Sequence, residues 1–136
     1  KDYATNNAEI SAMAAPRPQL IVSDGGDWTR MTPIWEYPFI KRIYNLYGKG
    51  ENLENVHLPN EVHDYGPSKR AAVDRFFAKI FGLDIHAITD EAGNINEGEN
   101  VMEDVSLLKV FNEQFPRPDY ALKSEKAICD VFRSLQ

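Results

Sequence analysis

The sequence predicts an α/β fold in which parallel strands alternate with helices. Three observations carry that reading. Gln19-Leu-Ile-Val-Ser23 is an apolar run closed by Gly25-Gly26, the pattern of a buried strand. Val56 to Leu58 is a second, shorter apolar run. Between them Phe39, Ile40, Ile43, Tyr44, Leu46 and Tyr47 recur at helical spacing. A strand–helix–strand crossover keeps its strands parallel and brings their C-terminal ends to one edge of the sheet.

Each element has its local reasons. An asparagine of the Asn6-Asn7 pair caps the good helix formers that run to Ala15, and Pro16 stops them ahead of the first strand. Thr32-Pro33 can begin a turn of helix, and Pro38 suits a first helical position. The helix from Phe39 ends at Gly48 and Gly50. After the second strand, Pro67-Ser68 is a helix entry. Val73, Phe76, Phe77 and Ile80 follow at i, i+3, i+4 and i+7, one buried face, and Gly82 supplies a left-handed stop.

Beyond Gly82 the character changes. Ile88 to Ile95 reads as a small hairpin about Gly93-Asn94, and Asn96 to Asn100 as a polar loop. Val101 to Phe111 fits strand and helix equally, and Pro116-Arg-Pro118 breaks it. Asp119 can cap a last helix with Ile128, Val131, Phe132 and Leu135 on one face.

At 136 residues the chain is one domain, or a piece of a larger one. Apolar residues at 43% and charged residues at 26% place it among globular sequences. No apolar run approaches the roughly 18 residues that span a bilayer, and Lys1-Asp2-Tyr3-Ala4 shows no signal-peptide pattern. A net charge of −6 with scattered Lys and Arg argues against nucleic-acid or anionic-membrane partners. Cys129 allows no internal disulfide and reads as a buried thiol in a helix.

The chemistry gathers at the two strand ends. Asp24 and Asp27 follow the first strand, and His63 lies in the loop between the second strand and the Pro67 helix. A carboxylate and then a histidine, in that chain order, are the second and third members of a Ser…Asp…His triad. The carboxylate accepts the imidazole Nδ1–H, which sets the tautomer, and the other nitrogen shuttles the nucleophile's proton. Taken alone, a loop histidine is a surface or hydrogen-bonded residue; the pair is what points to catalysis. No Gly-x-Ser-x-Gly elbow or His-Gly-Gly run is present, and Ser11, Ser23, Ser68, Ser106, Ser124 and Ser134 lack the strand–turn–helix context of a nucleophile. His57 alternates within a strand, where it is paired or half-buried, and His86 faces solvent after a helix stop. A zinc site from His57, His63 and Asp64 lacks the usual ligand spacing, so neither a metal nor a cofactor is expected. Trp28, Trp35 and Tyr37 near the first loop can pack or form a sugar-stacking platform.

Ala15-Pro16-Arg17-Pro18, Ser23-Asp-Gly-Gly-Asp27-Trp-Thr29, Thr32-Pro33 with Glu36-Tyr-Pro38, Ile43-Tyr44, Leu46-Tyr47-Gly48, Asn55-Val-His57, His63-Asp-Tyr65, Ala72-Val73 and Phe76-Phe77 run through the chain. Together they resemble the C-terminal half of α/β-hydrolase-fold carbohydrate esterases, nearest to acetyl xylan esterase-like proteins of bacteria. The resemblance covers about residues 8 to 83. It implies that residues 1–83 are the C-terminal half of an α/β-hydrolase domain and that 84–136 are an extension packing on it. It implies Asp27 as the triad acid and His63 as the base. Asp24 competes, but Asp27 lies beyond the Gly-Gly turn in a loop able to reach out, while Asp24 suits a strand end or turn. Trp28, Trp35 and Tyr65 become the candidate substrate-binding residues.

The function this implies is the back half of a serine-dependent carboxylic ester hydrolase that deacetylates polysaccharide, with its nucleophile serine outside this chain. Alone the chain is expected to be inactive. Two alternatives stand beside it: a non-catalytic hydrolase-like binding or structural domain, and a peptidase of the same fold. The expected partner is an acylated carbohydrate. An exposed sheet edge also invites a homodimer, and the resemblance implies export from a bacterium.

Overall fold

Asn6 opens the first helix as a reciprocal capping box. Its side chain accepts from the Glu9 N–H at 3.0 Å, and Glu9 accepts from the Asn6 N–H at 3.3 Å. The computed structural model describes residues 4–135. The elements are α1 (Asn7–Ala12), β1 (Gln19–Asp24), α2 (Glu36–Leu46), β2 (Leu53–Leu58), α3 (Pro67–Phe81) and α4 (Glu125–Ser134), with short 3-10 turns at Trp28–Met31, Gly50–Asn52 and Ile85–Ile88. Two compact units divide the chain, Lys1–Glu97 and Gly98–Gln136. Residues 84–97 therefore cluster with the strands and helices before them.

β1 and β2 pair in parallel, Gln19 opposite Leu53 through Asp24 opposite Leu58. The pleat's period of two sorts their side chains onto two faces. Ile21 and Leu53 face α1 and α2, where Ala12, Ile40, Tyr44 and Leu53 form the buried core. Leu20 and Val22 of β1, with Val56 and Leu58 of β2, face α3 and Phe76. The first face is tied down by polar bonds as well. The Tyr44 hydroxyl donates to the Arg17 carbonyl at 2.8 Å, and the Lys41 ammonium donates to the Leu53 carbonyl at 3.0 Å.

Several expectations need correction. α2 begins at Glu36, so Pro38 is its third residue and not its first. That position is tolerated because its N–H would have had no intrahelical partner. Only Ile40 and Tyr44 of α2 are buried; Leu46 and Tyr47 point outward. On α3 the expected buried face shrinks to Phe76, with Val73 half-buried and Phe77 and Ile80 exposed. A two-stranded sheet is too narrow to cover a stripe that wide. Phe77 instead meets Phe76 edge-on and stacks on Phe81.

The Ile88–Ile95 hairpin is a single antiparallel bridge, Thr89 opposite Ile95, turning through Gly93 at φ +82°. In the second unit, Val101 to Phe111 is neither strand nor helix. α4 is capped by the Ser124 side chain and not by Asp119, and it buries no residue; Cys129 is half-buried. Its apolar face lacks the cover that the spacing alone suggests.

Candidate active site

The two loops that leave β1 and β2 are zipped together by glycine. The Gly25 N–H donates to the Leu58 carbonyl at 3.1 Å, and the Gly26 N–H donates to the Glu61 carbonyl at 2.9 Å. A Cβ on Gly25 would sit 2.0 Å from the Pro59 carbonyl oxygen, and one on Gly26 would sit 2.6 Å from that of Glu61. Real Cβ atoms do not approach that closely, so the contact requires glycine at both positions. The turn delivers Asp27 to the loop that carries His63.

There the two side chains meet, with Asp27 Oδ2 2.7 Å from His63 Nδ1. The other carboxylate oxygen is held from below. Asp27 Oδ1 accepts the Thr29 N–H at 2.5 Å and the Thr29 hydroxyl at 2.6 Å. That hydroxyl in turn accepts the Asp24 N–H at 3.0 Å, which anchors the loop to the end of β1. Asp27 is thus the N-cap of the Trp28–Met31 turn. The Thr29 hydroxyl, followed by His63, holds its carboxyl down at about 2. An ionised carboxylate only accepts, so Nδ1 carries the imidazole proton and Nε2 presents a free lone pair. The Asp27 side chain is 8% exposed and that of His63 is 74% exposed. The carboxylate is shielded while the imidazole is open to solvent.

Asp24, the competing acid, is placed elsewhere by strand alternation. It lies on the α3 face with Leu20 and Val22, where its Oδ2 accepts from the buried Lys69 ammonium at 2.8 Å. Its Oδ1 closes the Gly-Gly turn by accepting the Gly26 N–H at 3.1 Å. Beneath the helix it has no route to His63.

Ser23 and His57 make a second hydroxyl–imidazole contact, Oγ to Nδ1 at 2.9 Å, between residues directly opposite in the sheet. Ser23 is 2% exposed. A hydroxyl so enclosed cannot meet a substrate, and Asn55 also donates to it at 3.3 Å. This pair is an internal brace of the sheet. Ser68 donates to Glu61, and Ser124 caps α4. His86 is exposed. No group of three or more metal-ligating side chains occurs among the described residues.

Trp28 follows Asp27 directly and Tyr65 lies two residues past His63; they are 74% and 60% exposed. Trp35, also exposed, lines a shallow depression with Asn6, Asn7, Phe39 and Glu36, whose buried Oε2 has no partner among the described residues. A cavity of about 650 Å³ between β2 and α3 is lined by neither Asp27 nor His63. It reflects the thin packing beside Phe76 and not the chemistry.

Thr29 and Lys69 were not singled out by the motif pattern, although both carried a signal. Asp27-x-Thr29 has the spacing of a side-chain cap. Lys69 falls four residues before Val73 and seven before Phe76, a cation on the apolar face of α3.

Fold and site define an α/β protein that carries a carboxylate–imidazole pair at the C-terminal edge of parallel strands. Among solved structures the chain is similar to one named Methylesterase BT1017, at 41% sequence identity and a TM-score of 0.69. The match covers 95% of this chain and 30% of that one, so the chain spans less than a third of the length of the structure it matches. No model of a known protein family matches, and no curated protein does. The likeness extends over both sequence and structure, and the fold is esterase-like.

Proposed function

We propose that this chain supplies the acid and base of a serine-type carboxylic ester hydrolase. The observation that carries the reading is the 2.7 Å contact between Asp27 and His63, with the carboxylate ionised and the imidazole exposed. In that state Nε2 takes the proton of a nucleophilic hydroxyl as its oxygen attacks the ester carbonyl. Asp27 stabilises the imidazolium that results. The tetrahedral intermediate collapses, the departing alcohol takes the proton from Nε2, and an acyl-enzyme remains. Water activated by the same imidazole then releases the acid.

The nucleophile is assigned to a serine outside these 136 residues, since Ser23 is enclosed and bonded to His57. The substrate class follows from two supports. Trp28 and Tyr65 extend from the loops that carry Asp27 and His63, as a stacking platform for a sugar ring would. The similar solved structure is named a methylesterase, which favours methyl esters over the acetyl esters that the resemblance implies. Either ester needs the same acid–base pair: a methyl ester expels methanol and leaves the carbohydrate carboxyl on the serine, whereas an acetyl ester expels a sugar hydroxyl and leaves acetyl there. The intact protein should release methanol from a methyl-esterified polysaccharide faster than acetate from an acetylated one. Loss of neither product on His63→Ala, with both reactions measured, would refute the reading.

A further inference from the structure

We infer that Lys69 is a positioning residue that holds the His63 loop against the end of β1; this rests on the reading of Asp27 and His63 as acid and base. Lys69 is the third residue of α3, and it is 4% exposed. Its ammonium donates to Asp24 Oδ2 at 2.8 Å, Asp64 Oδ1 at 3.0 Å, the Asp64 carbonyl at 3.1 Å and the Val62 carbonyl. Those two carbonyls bracket His63 in sequence. The carboxylate of Asp24 belongs to the strand end from which Asp27 departs three residues later. One cation therefore joins the root of the acid loop to both sides of the base.

A lysine kept only to neutralise a buried aspartate would need Asp24 alone. The convergence of carbonyls on each side of His63 is the feature that a neutralising role leaves unexplained. A compact ammonium with three rotatable donors suits this cluster, and a planar guanidinium does not. The hydrogen bond to Asp24 raises the pKa of Lys69, and Lys69 in turn lowers that of Asp64, so the ammonium and the Asp64 carboxylate stay charged through neutral pH. A histidine that is 74% exposed has little packing to orient it; its backbone must be oriented instead.

Replacing Lys69 alone strands a buried carboxylate, so the test couples Lys69→Met with Asp24→Asn, which keeps an acceptor for the Gly26 N–H. The readout is imidazole nitrogen NMR on the intact protein, with Asp27→Asn as the reference for a broken pair. In the folded double variant the Nδ1–H signal of His63 should weaken toward that reference. The His57 signals, braced by Ser23, should remain as they are and report an intact sheet. Should the double variant not fold, Lys69→Arg keeps the charge and spreads its donors in a plane, and the same loss is expected. His63 signals identical to wild type in either folded variant overturn the inference. In the intact enzyme kcat should fall about 10²-fold with KM unchanged, the scale of a small misplacement of a catalytic group. A displaced imidazole with unchanged kcat would uphold the positioning role and overturn the acid–base reading instead.

Discussion

Replacing Asp27 with asparagine tests the site with little change of shape, because the structure dictates how the new amide must sit. Oδ1 receives two donors from Thr29, the N–H at 2.5 Å and the hydroxyl at 2.6 Å. The asparagine carbonyl must keep that position, since the flipped amide would set its NH2 against the Thr29 N–H, which can only donate. The NH2 then occupies the place of Oδ2, 2.7 Å from His63 Nδ1. It can only donate, so Nδ1 must present its lone pair and the ring proton moves to Nε2. The nitrogen that should accept the nucleophile's proton is thereby blocked. A triad locked in the wrong tautomer loses on the order of 10⁴ in kcat. KM should stay near the wild-type value, because no substrate contact is removed. Ester hydrolysis by the intact protein, with thermal unfolding followed in parallel, measures both. Activity within about tenfold of wild type would refute the tautomer argument. A folded Asp24→Asn variant that is crippled while Asp27→Asn is mild would show that the wrong carboxylate had been assigned.

Three further outcomes follow from the geometry. Gly25→Ala would set a methyl 2.0 Å from the Pro59 carbonyl; overpacking of this kind costs about 2–3 kcal/mol, a fall in Tm of about 7–10 °C by calorimetry. On α3, Phe76→Ala should cost about 3 kcal/mol and Phe77→Ala about 1 kcal/mol, since one ring is 8% exposed and the other 46%; equal losses in denaturant titrations would contradict the packing. The Asp27 carboxyl is lowered from its ordinary 3.8 to about 2, so the unfolded chain binds the extra proton across that window. The stabilisation is complete above the upper value and disappears as pH falls through the lower one, and Asp27→Asn should flatten stability against pH between them.

Much of this protein was legible along the chain. Asn6, Pro67 and Gly82 act through their own backbone geometry, and the structure has them capping, opening and stopping helices as local rules require. The parallel pairing of β1 with β2 agrees with a helix joining two apolar runs as a crossover. The meeting of residues 27 and 63 followed in turn from the two strand ends sharing an edge. Other features needed partners distant in sequence. Spacing alone made Phe77 and Ile80 part of a buried stripe, but burial depends on the width of the surface opposite, and two strands cover only Phe76. The Gly-Gly turn favoured Asp27 over Asp24 along the chain, but what Asp24 reaches instead depends on which sheet face meets α3. Once that face is known, alternation sends Asp24 beneath the helix to Lys69, and the Gly-Gly turn carries Asp27 clear of it. Local conformational preference is written residue by residue, and sequence suffices for it. Which charge is enclosed, and which imidazole a carboxylate reaches, depends on elements packing across space, and only the folded chain decides that.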